Sequence, residues 1–403
     1  MIYRELNNNI KQFFLGTFII YLVVRGVFFT FAGIFLKEAG FLEGFVGRTL
    51  SCTTLSIALS SVLSSYLIKN YGYKKIIISG IIFTGIGAIG LVSTLNPDMI
   101  LFSASLMGMG FSMHMTSEGA FLMENVSEEK RVKVFSYNFA LKNIGIIAGT
   151  FLGGRLSDLL KINFTGLSSL RMIFLLFATL LFSFTVPINK ITENNVEREW
   201  TGLGEYLKSY RRVVRGQVVK FLIYNSTIGF GAGLVVPFFS IYLKYTLDIG
   251  NSLVGTILSI AQMGVAAGGL LVPLLAKKVG REKTVILCQL LSIPFLISIA
   301  FPQGIVIITI SFLMRSTLMN LNHPIVQNLS MEMVDEDERP MLSSLFTLSG
   351  NLTRALGMVA GGYLMEKVSY NAPYYFTIIF YLSGTYLFYR LFGRGGSKNV
   401  SPK

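Results

Sequence analysis

The sequence predicts an all-α membrane protein: twelve transmembrane helices in two pseudo-symmetric six-helix bundles. Three observations carry that expectation. Apolar runs of about 20 residues, the length that crosses a bilayer, recur along the chain. Lys and Arg gather in alternate connections between the runs. Residues of the first half return in the second at a constant spacing, as Gly72 and Gly280 do, 208 positions apart.

Composition agrees with a lipid solvent. Of 403 residues 52% are hydrophobic and 14% charged, against about 25% charged in soluble domains. A formal charge of +14 could suit nucleic acid, but the basic residues form short clusters between apolar runs rather than one face with interleaved aromatics. Nucleic acid is therefore excluded as a partner. Cys52 and Cys288 each sit inside an apolar run, so neither a disulfide framework nor a metal pattern is expected. No cofactor is implied. The first apolar stretch, Phe13 to Leu36, is too long for the core of a cleavable signal and reads as the first span.

The twelve spans begin near Phe13, Phe45, Ile76, Met99, Val134 and Met172, then near Phe221, Leu253, Thr284, Gly304, Met341 and Pro373. With the N-terminus inside, the inner connections hold Lys69, Lys74, Lys75, Lys130, Arg131, Lys133, Lys277, Lys278, Arg281, Lys283 and Arg339. Outer turns such as Asn96-Pro97-Asp98 and Pro302-Gln303-Gly304 carry no positive charge. Both termini are thus expected in the cytoplasm, and the chain in the cell membrane. The division runs 1–187 for the first bundle, 188–220 for a cytoplasmic linker, and 221–403 for the second bundle with a short tail. Within the linker, Tyr206, Leu207, Tyr210, Val213 and Val214 alternate with Lys208, Arg211, Arg212 and Arg215. This pattern suggests a basic amphipathic helix on the membrane surface, with a solvated charged connector as the plain alternative.

The same spacing of 208 links Val46-Gly47 with Val254-Gly255, Glu124 with Glu332, Arg131 with Arg339, Asn143 with Asn351, Gly149 with Gly357 and Gly153-Gly154 with Gly361-Gly362. Matches at one offset through helices and loops alike indicate two parallel six-helix repeats. Leu67, Gly72 and Lys74, and again Leu275, Gly280 and Arg281, follow the pattern G-x-L-a-D-r-x-G-r-k. In this the chain resembles the major facilitator superfamily, over nearly its whole length. Ser65 and Pro273 replace the first Gly, and Lys69 and Lys277 stand where the family usually has Asp. The resemblance implies cytoplasmic gating loops built from Lys69, Gly72, Lys74, Lys277, Gly280, Arg281, Glu124, Arg131, Glu332 and Arg339. Gly145, Gly149, Gly153 and Gly154 are similar to the glycine pattern of the family's antiporters, with Thr150 in place of its Pro. There they imply contacts of helix five with helix eight and of helix eleven with helix two.

Ionisable groups inside spans are costly, so the few present are candidate functional residues. Arg25 lies mid-way through span one. His114 and Glu118 are four residues apart on span four, on one face, where they could trade protons. Alternatively Glu118 pairs with Arg25 or Lys142 and holds helices together. Arg354 on span eleven falls at the equivalent of position 146, one turn beyond Lys142, on a face whose glycines Gly149, Gly357 and Gly361 suggest an inward direction. Arg315 sits mid-span ten, followed by Asn320, Asn322 and His323 before Pro324, a polar bend. Asn225 and Gln262 are further polar candidates on spans seven and eight, and Gln289 reads as helix glue. Gly229-Phe230-Gly231-Ala232-Gly233 lies inside span seven and reads as helix flexibility.

Arg25, Lys142, Arg315 and Arg354 outnumber Glu118, favouring an anionic solute. Met107, Met109, Met113 and Met115 would equally suit an adaptable pocket for amphipathic compounds. The chain is expected to be a monomeric secondary transporter rather than an enzyme, working by alternating access. Protons are the expected coupling partner and export the favoured direction. An uptake symporter, a uniporter and a non-transporting sensor are the alternatives.

Overall fold

The computed structural model describes residues 7–192, 204, 213–302, 304–335 and 338–393. Among these residues there is no strand, and twelve long helices follow one another. They are α1 Asn8–Glu38, α2 Glu43–Tyr71, α3 Tyr73–Ser93, α4 Pro97–Asn125, α5 Glu128–Leu160 and α6 Gly166–Asn189. Then come α7 Gly216–Leu247, α8 Asn251–Val279, α9 Arg281–Ala300, α10 Ile305–Met331, α11 Arg339–Lys367 and α12 Ala372–Phe388.

All but α10 start a few residues ahead of their apolar runs, and at α4 and α6 a polar side chain outside the run caps the first turn. Asn96 accepts from the backbone N–H groups of Asp98 and Met99, and Thr165 from that of Ser168. Among the described residues, nine helices or helix segments are long and apolar enough to cross a membrane. The helices outside that group are α5 and α11, which carry charges along their length, and α12, which has 17 residues.

The chain divides into two compact units: residues 1–201 with 243–259, and residues 202–242 with 260–403. The basic stretch from Tyr206 to Arg212 lies outside the described residues. Its described end packs onto protein instead of lipid, with Val213 buried against Val218, Val334 and Leu342, and Arg215 paired with Glu338 at 3.0 Å.

In the first unit α5 runs along α1, with α4 against α2 and α3. At Gly26 an added Cβ would lie 2.8 Å from the Gly149 Cα, so only glycines allow this approach. Thr150, where the family motif has Pro, donates to the Gly26 carbonyl at 3.1 Å. This corrects two expectations. Gly145, Gly149 and Gly153 face α1 rather than α8, which only Gly154 meets, at Asn251 and Ser252. Nor does the glycine face line an open space, since a smooth face excludes solute and admits a second backbone.

The second unit repeats the arrangement, α11 packing along α7, with a Cβ at Gly357 placed 3.0 Å from the Gly233 Cα. The glycine run 229–233 thus serves close packing on α11 and α12, not flexibility. Gln289 is fully buried; it donates to the Tyr224 hydroxyl at 2.7 Å and accepts from Thr385 at 2.9 Å, joining α9 to α7 and α12. The helix glue expected of it is present. Cys288 belongs to the same apolar core, and both cysteines are free.

Candidate functional site

Helix α1 changes its winding over Tyr21–Phe28, where hydrogen bonds reach back five residues, as from the Phe29 N–H to the Val24 carbonyl. Such π segments inside α-helices collect at functional sites. Here the segment carries Tyr21 and Arg25, and it is the stretch that Gly145 and Gly149 of α5 approach.

Facing Tyr21 is the charged centre of the unit. Glu118 of α4 accepts on the same carboxylate oxygen from Lys142 at 2.5 Å and from Asn138 at 2.6 Å, both on α5. Asn138 is buried and its side-chain oxygen has no partner. Lys142 also lies 5.4 Å from the Tyr21 ring centre, and Arg25 stacks 4.7 Å over Phe29. Of the pairings open to Glu118 in the sequence, the structure shows Lys142. Arg25 makes no ion pair among the described residues, so one guanidinium of this site is left without a counter-charge.

His114 does not join this centre. Its fully buried ring stacks on Phe13 at 5.6 Å and meets Tyr21 and Phe184, while neither ring nitrogen has a hydrogen-bond partner among the described residues. Four-residue spacing put His114 and Glu118 on one face, but α1 and α6 supply aromatic surface to the first, and α5 supplies donors to the second. The proposed histidine–glutamate exchange has no hydrogen bond to carry it. Met107 and Met113 are buried against α3 at Gly87 and Gly80, packing helices rather than lining a pocket.

In the second unit Arg315 is 3% exposed and donates to the Tyr381 hydroxyl of α12 at 2.8 Å. Its guanidinium lies 4.9 Å from the Phe239 ring of α7. Helix α10 breaks at Asn322, as Pro324 predicts, with Asn322 buried and His323 exposed beside Phe346 at 5.9 Å. Asn225 donates to the Phe346 carbonyl at 2.8 Å and to Ser349 at 2.9 Å, so its amide ties α7 to α11. Gln262 and Arg354 are half-buried on α8 and α11.

The residues expected at the gating loops divide in kind. Gly72 and Gly280 take φ values of 90° and 94° and turn the chain between helices, a conformation that glycine adopts without strain. Lys74 donates to the carbonyls of Asn189 and Ile191 at 2.9 and 2.7 Å, a cation at the end of α6. Arg281 pairs with Glu332 at 2.5 Å, and Arg339 donates to the Met331 carbonyl at 3.3 Å. Lys69, Lys277 and Glu124 are exposed, and Arg131 is half-buried.

Sequence reasoning missed Asn138, Tyr21, Phe239 and Tyr381. Asn138 stands four residues before Lys142, and Tyr21 four before Arg25, spacings that could have flagged them. It also missed a polar knot within the first unit. Lys244 donates to Glu38 at 2.7 Å and Asn251 at 3.0 Å, and Asp158 accepts from the backbone N–H groups of Asn251 and Ser252 at 3.2 and 2.7 Å, capping α8.

A family model described as Major Facilitator Superfamily matches residues 13–314 and 221–403. Among curated proteins, a Na(+), Li(+), K(+)/H(+) antiporter of Planococcus maritimus is 24% identical over 262 residues, 61% of this chain. The chain spans 60% of that relative's length. Among solved structures, the nucleoside transporter NupG is similar with a TM-score of 0.77 at 13% identity, covering 96% of this chain and 99% of that one. A bacterial homologue of the human lysosomal transporter Spinster, inward-facing and occupied, gives 0.76 at 12% identity, with 98% of both chains covered.

Proposed function

This chain belongs to the Major Facilitator Superfamily, and we propose that it is a proton-coupled secondary transporter which exports a small anionic or amphipathic organic solute by alternating access. The observation that carries this reading is the Glu118 carboxylate held by Lys142 at 2.5 Å across α4 and α5. Protonating Glu118 removes the attraction that fixes Lys142, and losing the proton restores it, so a proton changes how the two helices are joined. Arg25, which stacks on Phe29 and makes no ion pair among the described residues, supplies the anchor for a solute carboxylate. An anion also leaves an inside-negative cell favourably, by about 2.3 kcal/mol per charge per 100 mV. The protein works as a monomer in the cell membrane with both termini cytoplasmic, divided at about 187 and 220 into two bundles and a linker.

Proteoliposomes holding a pH-sensitive dye test this. Choline benzoate, choline phosphate, tetraphenylphosphonium chloride and the chlorides of sodium, lithium and potassium are added one at a time. The reading expects proton movement with the carboxylate and none with the lipophilic cation. A second reading, exchange of an alkali cation for a proton at Glu118, is favoured by the relative's name. Proton movement with sodium, lithium or potassium alone would replace the first reading with the second.

A further inference from the structure

Arg315, like Arg25, makes no ion pair among the described residues, but it is the more deeply buried of the two. It is 3% exposed, yet no carboxylate pairs with it among the described residues. Its one hydrogen bond goes to the Tyr381 hydroxyl at 2.8 Å, and its Nε–H donor is buried without a partner. Because the Tyr381 oxygen accepts from Arg315, its own O–H is left to donate elsewhere. Tyr374, two turns earlier on the same helix and packed on the Tyr242 ring at 4.9 Å, is fully buried and its hydroxyl has no partner among the described residues. The walls are the rings of Phe239 and Tyr381, 4.9 and 6.0 Å from the guanidinium carbon. The surroundings therefore hold a full positive charge and hydroxyl donors, with no anionic acceptor.

A buried charge without a counter-charge is strongly unfavourable, and ring faces offset only part of it. Both rings turn their faces to the guanidinium, so the unpartnered Nε–H and the tyrosine hydroxyls are the donors left for an ion, and the single charge to be balanced calls for a monovalent one. We propose that Arg315, with Tyr381 and Tyr374, forms a site for one compact monovalent anion, chloride by size and charge, inside the second unit. This site is separate from Glu118 and Arg25, and the ion completes the unit as a resident neutraliser rather than as the transported solute. It also accounts for an arginine in the middle of α10 that reaches no acid on α7 or α12.

Thermal unfolding of the purified full chain in detergent, in sodium gluconate and then at rising chloride with ionic strength held constant, tests the proposal. The midpoint should rise and saturate with chloride and bromide, and stay level with gluconate or sulfate. Tyr381→Phe, which removes a hydrogen bond to a charged group, should shift the half-saturating chloride upward by about tenfold. Arg315→Gln should abolish the response. If Arg315→Gln does not fold, Tyr374→Phe and Tyr381→Phe carry the test. A midpoint equal in all salts for the wild-type chain would overturn the site, as would a chloride response that these substitutions leave unchanged. A response to benzoate but not chloride would assign the arginine to an organic carboxylate and also overturn it.

Discussion

The two units solve the same packing problem in the same way and the charge problem in opposite ways. In each, a glycine of the fifth helix of the repeat meets the first helix backbone to backbone, Gly149 on Gly26 and Gly357 on Gly233. The polar residues differ. The first unit sets a carboxylate between Lys142 and Asn138, whereas the second buries Arg315 against a tyrosine and a phenylalanine. Backbone winding follows the same division. Helix α1 widens into a π segment at Tyr21–Phe28, while α7 tightens into a 3-10 turn at Val236–Phe238 ahead of its end. Repeated glycines preserve the scaffold, and unrepeated charges distinguish what each unit does.

The largest expected effect breaks the shared part. Gly149→Leu and Gly357→Leu each force a side chain into a neighbouring backbone, and both proteins should lose the monodisperse peak in fluorescence-detected size exclusion. If one of them runs like the wild type, that unit does not depend on the glycine contact.

Next comes the difference itself. Glu118→Ala leaves Lys142 without its partner and should lower stability by on the order of 2 kcal/mol, less than a fully buried pair would lose. Adding Lys142→Met should recover most of that loss. Arg315→Met in chloride-free buffer should instead be close to neutral, because it removes a buried charge with no acidic partner and forfeits only the hydrogen bond to the Tyr381 hydroxyl. Equal losses in thermal unfolding for Glu118→Ala and Arg315→Met would erase the distinction between compensated and uncompensated charge.

A smaller effect, about 1 kcal/mol, is expected for Asn225→Leu, which removes the amide joining α7 to α11. The smallest belongs to Arg281→Gln. Its pair with Glu332 is 43% and 47% exposed, and such surface pairs contribute about 0–1 kcal/mol. Transport rather than unfolding is where a gating role for that pair would appear.

Much of this architecture was legible in the sequence. Apolar runs mark the helices because lipid demands them, and the constant spacing marks the repeat, since Gly72 and Gly280 must turn the chain at equivalent places. Of the site, Lys142 was among the possible partners of Glu118, but choosing it over Arg25 needed the packing of α5 on α1. The aromatic setting of His114 was not legible, because helical spacing says which residues share a face and not what lies opposite. Arg315 was read as one of the cations that favour an anionic solute, while Phe239 and Tyr381, more than sixty positions away on either side, give no local sign that they close around it. The glycines misled in one respect: their spacing identifies a close contact and cannot name the helix that fills it.

The proposed proton switch is the joint between Glu118 and Lys142. Proton flux driven by a pH gradient, measured in proteoliposomes for the wild-type chain and Glu118→Gln at matched protein content, tests it most directly. Solute-dependent proton flux is expected in the wild type and its loss in Glu118→Gln, with the thermal midpoint confirming a folded variant. Unchanged flux in folded Glu118→Gln would contradict it.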